Sequence, residues 1–277
     1  MSVDIWTKRQ IWPYTAKMTI ARHIMTPDQS AALLDLTHSN SIEELWDLHC
    51  RRMAEFGFDR LLYGFTRFRT ATSLGDPDDF IVLSNIDAAY VNTFVNDGLY
   101  RSAPMVRWAL DNNGAASWTV LRMMMESGAV TEDEKRILDF NAKHGITSGF
   151  SISFRSLSDR AKGAIALIAR DGLSQDDVDA VWEHSGEVIQ LMNNIVHLKI
   201  LTLPYTPPNQ TLTKRQREAL EWVGGGKTMQ DIATIMGLTP ATVEKHLRLA
   251  REALNVDTTA QAVLKAALQN QMFIRDR

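Results

Sequence analysis

At 277 residues, 45% of them apolar and 23% charged, the chain is long enough for two domains with a core each, and its composition is that of an ordinary globular protein. One cysteine, Cys50, excludes an intrachain disulfide framework and fits a reducing cytoplasm; no apolar run approaches the ~20 residues that cross a bilayer, so no membrane partner is expected. The net charge of −3 divides unevenly: from Leu212 onward ten Lys/Arg stand against seven Asp/Glu, so the acidic excess lies in the residues before it.

Residues 1–27 carry scattered charges, no continuous apolar core of a signal peptide and no strong period; they read as an N-terminal extension. The pattern after Pro27 predicts a helix with Leu33, Leu34 and Leu36. Ser41, with Glu44 at the capping-box offset, opens a second, whose Ile42, Leu45, Trp46, His49, Met53 and Phe56 recur at helical spacing. Residues 61–68 are aromatic-rich and read as a strand, 75–78 as a turn and 80–83 as a second strand. Residues 87–99 and 104–110 read as helical, and Trp118 as part of a short extended piece. Thr131 with Glu134 opens another helix, which Gly145 ends; strands at 147–154 and 163–169 and a long helix over 174–201 follow. This order predicts an α+β class for residues 28–201: an α-β-α sandwich around about five antiparallel strands, with room for an apolar cavity between sheet and helices.

Residues 202–211 are rich in proline and read as a linker. From 212 to 277 the pattern is all-α, with four short helices. Thr213 and Gln216 form a capping-box pair, Gly224-Gly225-Gly226 ends the first helix and Thr228 caps the second. Gly237 then ends the second helix, Thr239 caps the third, and Pro240 takes its first position, where a missing N–H costs nothing. Helix, short glycine-containing turn, helix is the pattern of a DNA-binding helix-turn-helix. In the third helix Val243, Leu247, Ala250 and Leu254 must face inward, which leaves Ala241, Glu244, Lys245, Arg248 and Glu252 outside. A polar, partly basic outer face suits a major groove.

The residues Leu212, Thr213, Leu220, Gly226, Lys227, Thr228, Asp231, Ile232, Ala233, Leu238, Thr242, Val243, His246 and Leu247 keep the spacing of the LuxR-type helix-turn-helix, which this module resembles. The family's usual Glu is Gln216 here, which still completes a capping box. The resemblance implies DNA contacts from Lys227, Thr228, Thr239, Ala241, Thr242, Glu244, Lys245, His246 and Arg248, and a homodimer on a palindromic double-stranded operator.

Residues 28–201 likewise resemble the autoinducer-binding domain of LuxR-type quorum-sensing regulators. Pro104, Trp118 and Gly149 agree with the family; Tyr90 stands where it has a first Trp, Phe94 four residues on, Ala103 at the Asp of its Asp-Pro pair, and Ile86 at a clamp Tyr. The resemblance implies a ligand site over Tyr63, Ile86, Tyr90, Phe94, Ala103, Pro104, Trp118, Gly149 and Ser151, taking an acyl-homoserine lactone or a related small apolar signal, with no cofactor. Ala103 cannot accept the amide N–H of such a ligand, and a buried unpaired donor costs about 1–3 kcal/mol. Two readings therefore stand: a clamp moved to neighbours such as Tyr63 or Ser151, or a receptor-like regulator for a non-lactone ligand or none.

Other chemistry finds little support. The seven histidines lack metal-ligand spacing, and the acidic turn at Asp76, Asp78 and Asp79 lacks that of an EF-hand. Gly224-Gly225-Gly226-Lys227-Thr228 lacks the spacing of a phosphate loop, and the βα alternation of a receiver domain is missing. A catalytic role is not expected.

Overall fold

Capping side chains set where the first helices begin. Thr26 and Gln29 close a reciprocal box at the start of α1 (Pro27–His38), and Ser41 accepts from the Glu44 N–H at the start of α2 (Ile42–Glu55). In this computed structural model residues 26–70, 73–205 and 210–273 are described; the expected extension before Thr26 and the middle of the linker lie outside them. Gly57, at φ +91°, turns the chain from α2 into β1 (Phe58–Thr66).

Four more strands complete an antiparallel sheet: β2 (Ile81–Ser84), β3 (Gly114–Ser117), β4 (Gly149–Ser153) and β5 (Lys162–Ala169), in the order β2-β1-β5-β4-β3. On one face of the sheet Tyr63, Phe65, Phe150, Ile152, Ile165 and Leu167 pack against α1, α2 and the long α7 (Gln175–Ile200). Rings lock α7 down: Phe150 stacks on Trp182 at 4.0 Å and Phe154 on His197 at 4.1 Å. His49 and His197 are buried there, and desolvation lowers each to about pH 4, so both stay neutral at neutral pH. The other face carries small side chains at the paired positions Gly64↔Ala164 and Ser151↔Ala166, with Leu62 also opposite Ala166.

Over that second face lie α3 (Ala88–Val91), α4 (Pro104–Asp111), α5 (Thr119–Glu126) and α6 (Glu132–Lys143). The helix expected over 87–99 is broken. After α3 the chain widens into a π turn at Asn92–Asn96, closed by the Asp97 N–H on the Asn92 carbonyl, and a 3₁₀ turn follows at Leu99–Ser102. Trp118 is not in a strand but just past β3, at the N-cap of α5, a helix the sequence pattern did not indicate.

The C-terminal module contains α8 (Lys214–Gly224), α9 (Met229–Met236), α10 (Pro240–Ala253) and α11 (Thr259–Leu268) around Leu220, Ile232, Val243, Leu247, Ala250 and Ala262. Thr213 with Gln216, Thr228 with Asp231 and Thr258 with Gln261 form full capping boxes, and Gly237 takes the left-handed φ of +66° that ends α9. This module docks on the sheet domain. Lys265 of α11 pairs with Asp79 at 2.5 Å, both side chains largely buried. Gln210 donates to the Asp78 carbonyl and the Asp79 carboxylate, and Asn270 donates to the Leu201 and Leu203 carbonyls.

Candidate ligand cavity and DNA-facing helix

A cavity of about 480 Å³ lies between the small-residue face of the sheet and the helices above it. Its floor is Leu62, Gly64, Ser151, Ala164, Ala166 and Ile168. Small side chains at alternate positions of β1, β4 and β5 leave that volume unfilled, while their strand neighbours fill the opposite core. Tyr90, Phe94, Tyr100, Ala103, Pro104 and Met105 form the roof, and Trp118, Leu121 and Met125 one wall. Tyr90 and Phe94 lie on either side of the start of the π turn and stack at 5.5 Å, so both rings reach the cavity.

Of the residues expected to bind a ligand, Tyr90, Phe94, Ala103, Pro104, Trp118 and Ser151 are brought together around this space. The Trp118 indole donates to Ser151 Oγ at 2.9 Å, and the Tyr90 hydroxyl donates to Asn141 Oδ1 at 3.0 Å. Burial pushes the Tyr90 phenol well above its ordinary value, so it remains a donor.

Of the other three, Tyr63 lies at the edge of this space, whereas Ile86 and Gly149 are not among its lining residues. Tyr63 borders the cavity, but its ring belongs to the opposite core and its hydroxyl shares a 2.8 Å hydrogen bond with His197 Nδ1; strand alternation sends it away from the floor. Ile86 packs behind the roof cluster and is not among the lining residues. Gly149 does not line the cavity either. A Cβ there would collide with the Leu167 carbonyl oxygen, so this glycine serves the close approach of β4 to β5.

Of the floor residues only Ser151 was anticipated, although the pattern Ala164-Ile165-Ala166-Leu167 alternates small and large with a period of two. Asn141 of α6 was not anticipated either, since nothing in the spacing distinguishes it from a solvent-facing residue.

In the helical module, Ala241, Glu244, Lys245 and Arg248 stand exposed on α10, with Thr242 and His246 half-buried beside them. The N-cap hydroxyl of Thr239 accepts from the Thr242 N–H at 3.2 Å. Arg248 pairs with Glu252 at 2.5 Å, and Arg251 with Glu244 at 3.1 Å. Lys227 and Thr228 are exposed at the start of α9. The helix offers its charges to solvent along one side, with Val243, Leu247 and Ala250 buried on the other.

Residues 41–200 match the autoinducer binding domain and residues 210–266 the domain of bacterial regulatory proteins of the LuxR family. The chain belongs to the LuxR-type transcriptional regulators. AnoR of Acinetobacter nosocomialis, a transcriptional activator, is 25% identical over 82% of this chain and 91% of its own length. The transcriptional activator LuxR of Aliivibrio fischeri is 24% identical over 69% and 74%. Among solved structures, SdiA of Escherichia coli aligns over 89% of this chain and 98% of its own with a TM-score of 0.43 and 16% identity. CepR2 of Burkholderia cenocepacia aligns over 62% and 98% with a TM-score of 0.46 and 14% identity. Like its relatives, this LuxR-type chain is a DNA-binding transcriptional regulator of the quorum-sensing type, with a signal-binding domain ahead of its helix-turn-helix. No helix among the described residues is long and apolar enough to cross a membrane.

Proposed function

We propose that the 480 Å³ cavity is the signal site and that its occupancy governs operator binding through α10, in a homodimer acting in the cytoplasm. The observation that carries this reading is the floor of small side chains. A closed core would fill that space with side chains of its own, and here about 480 Å³ is left beneath aromatic rings. The ligand is a small, largely apolar molecule, an acyl-homoserine lactone or a compound of similar length. Ligand would act by favouring whichever arrangement it binds better, without covalent chemistry.

On the DNA side, we assign base reading to the exposed face of α10, with Arg248 exchanging Glu252 for a base edge, and phosphate contacts to Lys227 and Lys245. Arg248→Ala is expected to weaken operator binding by roughly 1–3 kcal/mol. Lys227→Ala and Lys245→Ala should instead reduce the salt dependence and leave site preference unchanged. Operator titrations at several salt concentrations measure both; unchanged affinity in all three variants would remove α10 from the groove.

For assembly, Leu191 and Leu198 lie seven residues apart on α7, 40% and 62% exposed, beside α1, where Leu34 is 57% exposed. These exposed leucines support α7 as part of a dimer interface, placing two recognition helices on half-sites about one helical turn apart. Light scattering with operator DNA is expected to give the mass of a dimer on the duplex. A strictly monomeric mass with and without DNA would refute this assignment.

A further inference from the structure

The polar groups around the cavity are few and lean to one sign. Thr66 donates to the Leu74 carbonyl at 2.8 Å, the Trp118 indole to Ser151, and the Tyr90 hydroxyl to Asn141. Gln175 is committed at both ends: its Oε1 accepts from the Gly149 N–H, and its Nε2 donates to Ser117, Asp179 and the Gly149 carbonyl. Lys162 is held by the Asn112 carbonyl and Asn113, and Arg122 by Asp176. Among the lining side chains that are not solvent-exposed, the donors without an acceptor among the described residues include the Nδ2 amide of Asn141 and the hydroxyl proton of Ser151, whose oxygen already receives the indole.

Ionised acceptors are scarce by comparison. The only carboxylate among the lining residues, Asp139, belongs to an exposed residue on α6. Ala103, buried at the start of α4, offers a methyl group; its N–H goes to the Tyr100 carbonyl and its carbonyl receives the Arg107 N–H. A ligand carbonyl entering this space meets donors, whereas a ligand N–H loses its water and meets no buried carboxylate.

We propose that Asn141, braced by Tyr90, together with Ser151 anchors a ligand head that presents hydrogen-bond acceptors and no obligatory N–H: an ester, lactone or ketone carbonyl on an apolar chain. This rests on the reading of the cavity as the signal site. Asn141 is then a specificity-determining residue, and Tyr90 positions its amide by fixing Oδ1.

The test is a matched pair of ligands titrated into the purified full chain: N-octanoyl homoserine lactone and its ester counterpart, α-octanoyloxy-γ-butyrolactone, which differ by N–H against O. The expected result is that the ester binds at least as tightly as the amide, by up to about tenfold. Asn141→Leu should weaken the ester tenfold or more, and Ala103→Asp should reverse the order in favour of the amide. Asn141→Asp, which replaces the donor by an acceptor at nearly equal volume, should also favour the amide. An amide bound ten or more times tighter by the unaltered chain would overturn the proposal, since an acceptor for its N–H would then be present.

An apolar fluorescent probe, N-phenyl-1-naphthylamine, separates the two levels of the reading. If the probe enters the unaltered chain and is excluded by Ala166→Leu, but neither lactone displaces it, the head-group proposal fails and the cavity reading stands. If the probe does not enter at all, the cavity reading fails, and this proposal with it.

Discussion

Ala166→Leu is expected to abolish ligand uptake, lowering affinity for any cavity ligand at least a hundredfold, while the chain folds as before. Ala166 sits at the centre of the floor, opposite Leu62 on β1 and Ser151 on β4, and its methyl group faces the empty volume. A leucine there adds three carbons where a ligand would lie. Overpacking a filled core usually costs about 1–3 kcal/mol, but here the added atoms enter existing space. Melting of the ligand-free protein should therefore be unchanged or raised. Titration with the naphthylamine probe, beside a thermal melt, separates these outcomes: a stable Ala166→Leu variant that still binds within a few-fold of the parent would place the ligand elsewhere.

The second large effect is expected at the domain junction. Asp79→Ala removes the counterion of Lys265, whose residue is only 7% exposed, and takes one acceptor from Gln210. Breaking a buried pair by deleting one partner typically costs about 3–5 kcal/mol, because the remaining charge loses both water and partner. Lys265 can regain water if α11 lifts away, so the loss should show as undocking of the helical module while each domain stays folded. Hydrogen exchange at the Tyr205 amide, which is bonded to the Gln269 carbonyl across the junction, should accelerate, and small-angle scattering should report a larger radius. Replacing both partners, Asp79→Leu with Lys265→Met, should recover much of the docking. Protection of Tyr205 unchanged by Asp79→Ala would show that the pair contributes little.

Local chemistry made much of the fold legible in advance. The helix starts at Ser41, Thr131, Thr213, Thr228 and Thr239 all carry side-chain caps, because capping is a contact between residues three apart and needs no tertiary information. Four of the five strands and the long α7 followed from composition and periodicity, while the short β3 lies a few residues before the extended piece expected at Trp118. What was not legible depended on which face meets what. Tyr63 and Leu62 are adjacent apolar residues in one strand, and only the pairing with β5 reveals that the first serves a filled core and the second an empty one. The start of α5 was hidden because Trp118 supplies no capping side chain, and the π turn likewise has no side-chain cap to mark it. Asn141 and the Asp79–Lys265 pair join elements distant in sequence, beyond the reach of any local pattern.

The division of the sheet into two unlike faces has a consequence for how such a receptor can change over generations. Tyr63, Phe65, Ile152, Ile165 and Leu167 belong to the core that holds the strands to α1, α2 and α7, although Tyr63, Phe65 and Ile165 also border the cavity. Leu62, Gly64, Ser151, Ala164 and Ala166 shape the cavity, and enlarging or reshaping one of them leaves the filled core intact. Because a strand sends neighbouring residues to opposite sides, single codon changes at alternate positions can retune ligand preference with little loss of stability. The roof residues Tyr90, Phe94 and Ala103 likewise belong to a cluster separate from that core, on the far side of one layer of backbone.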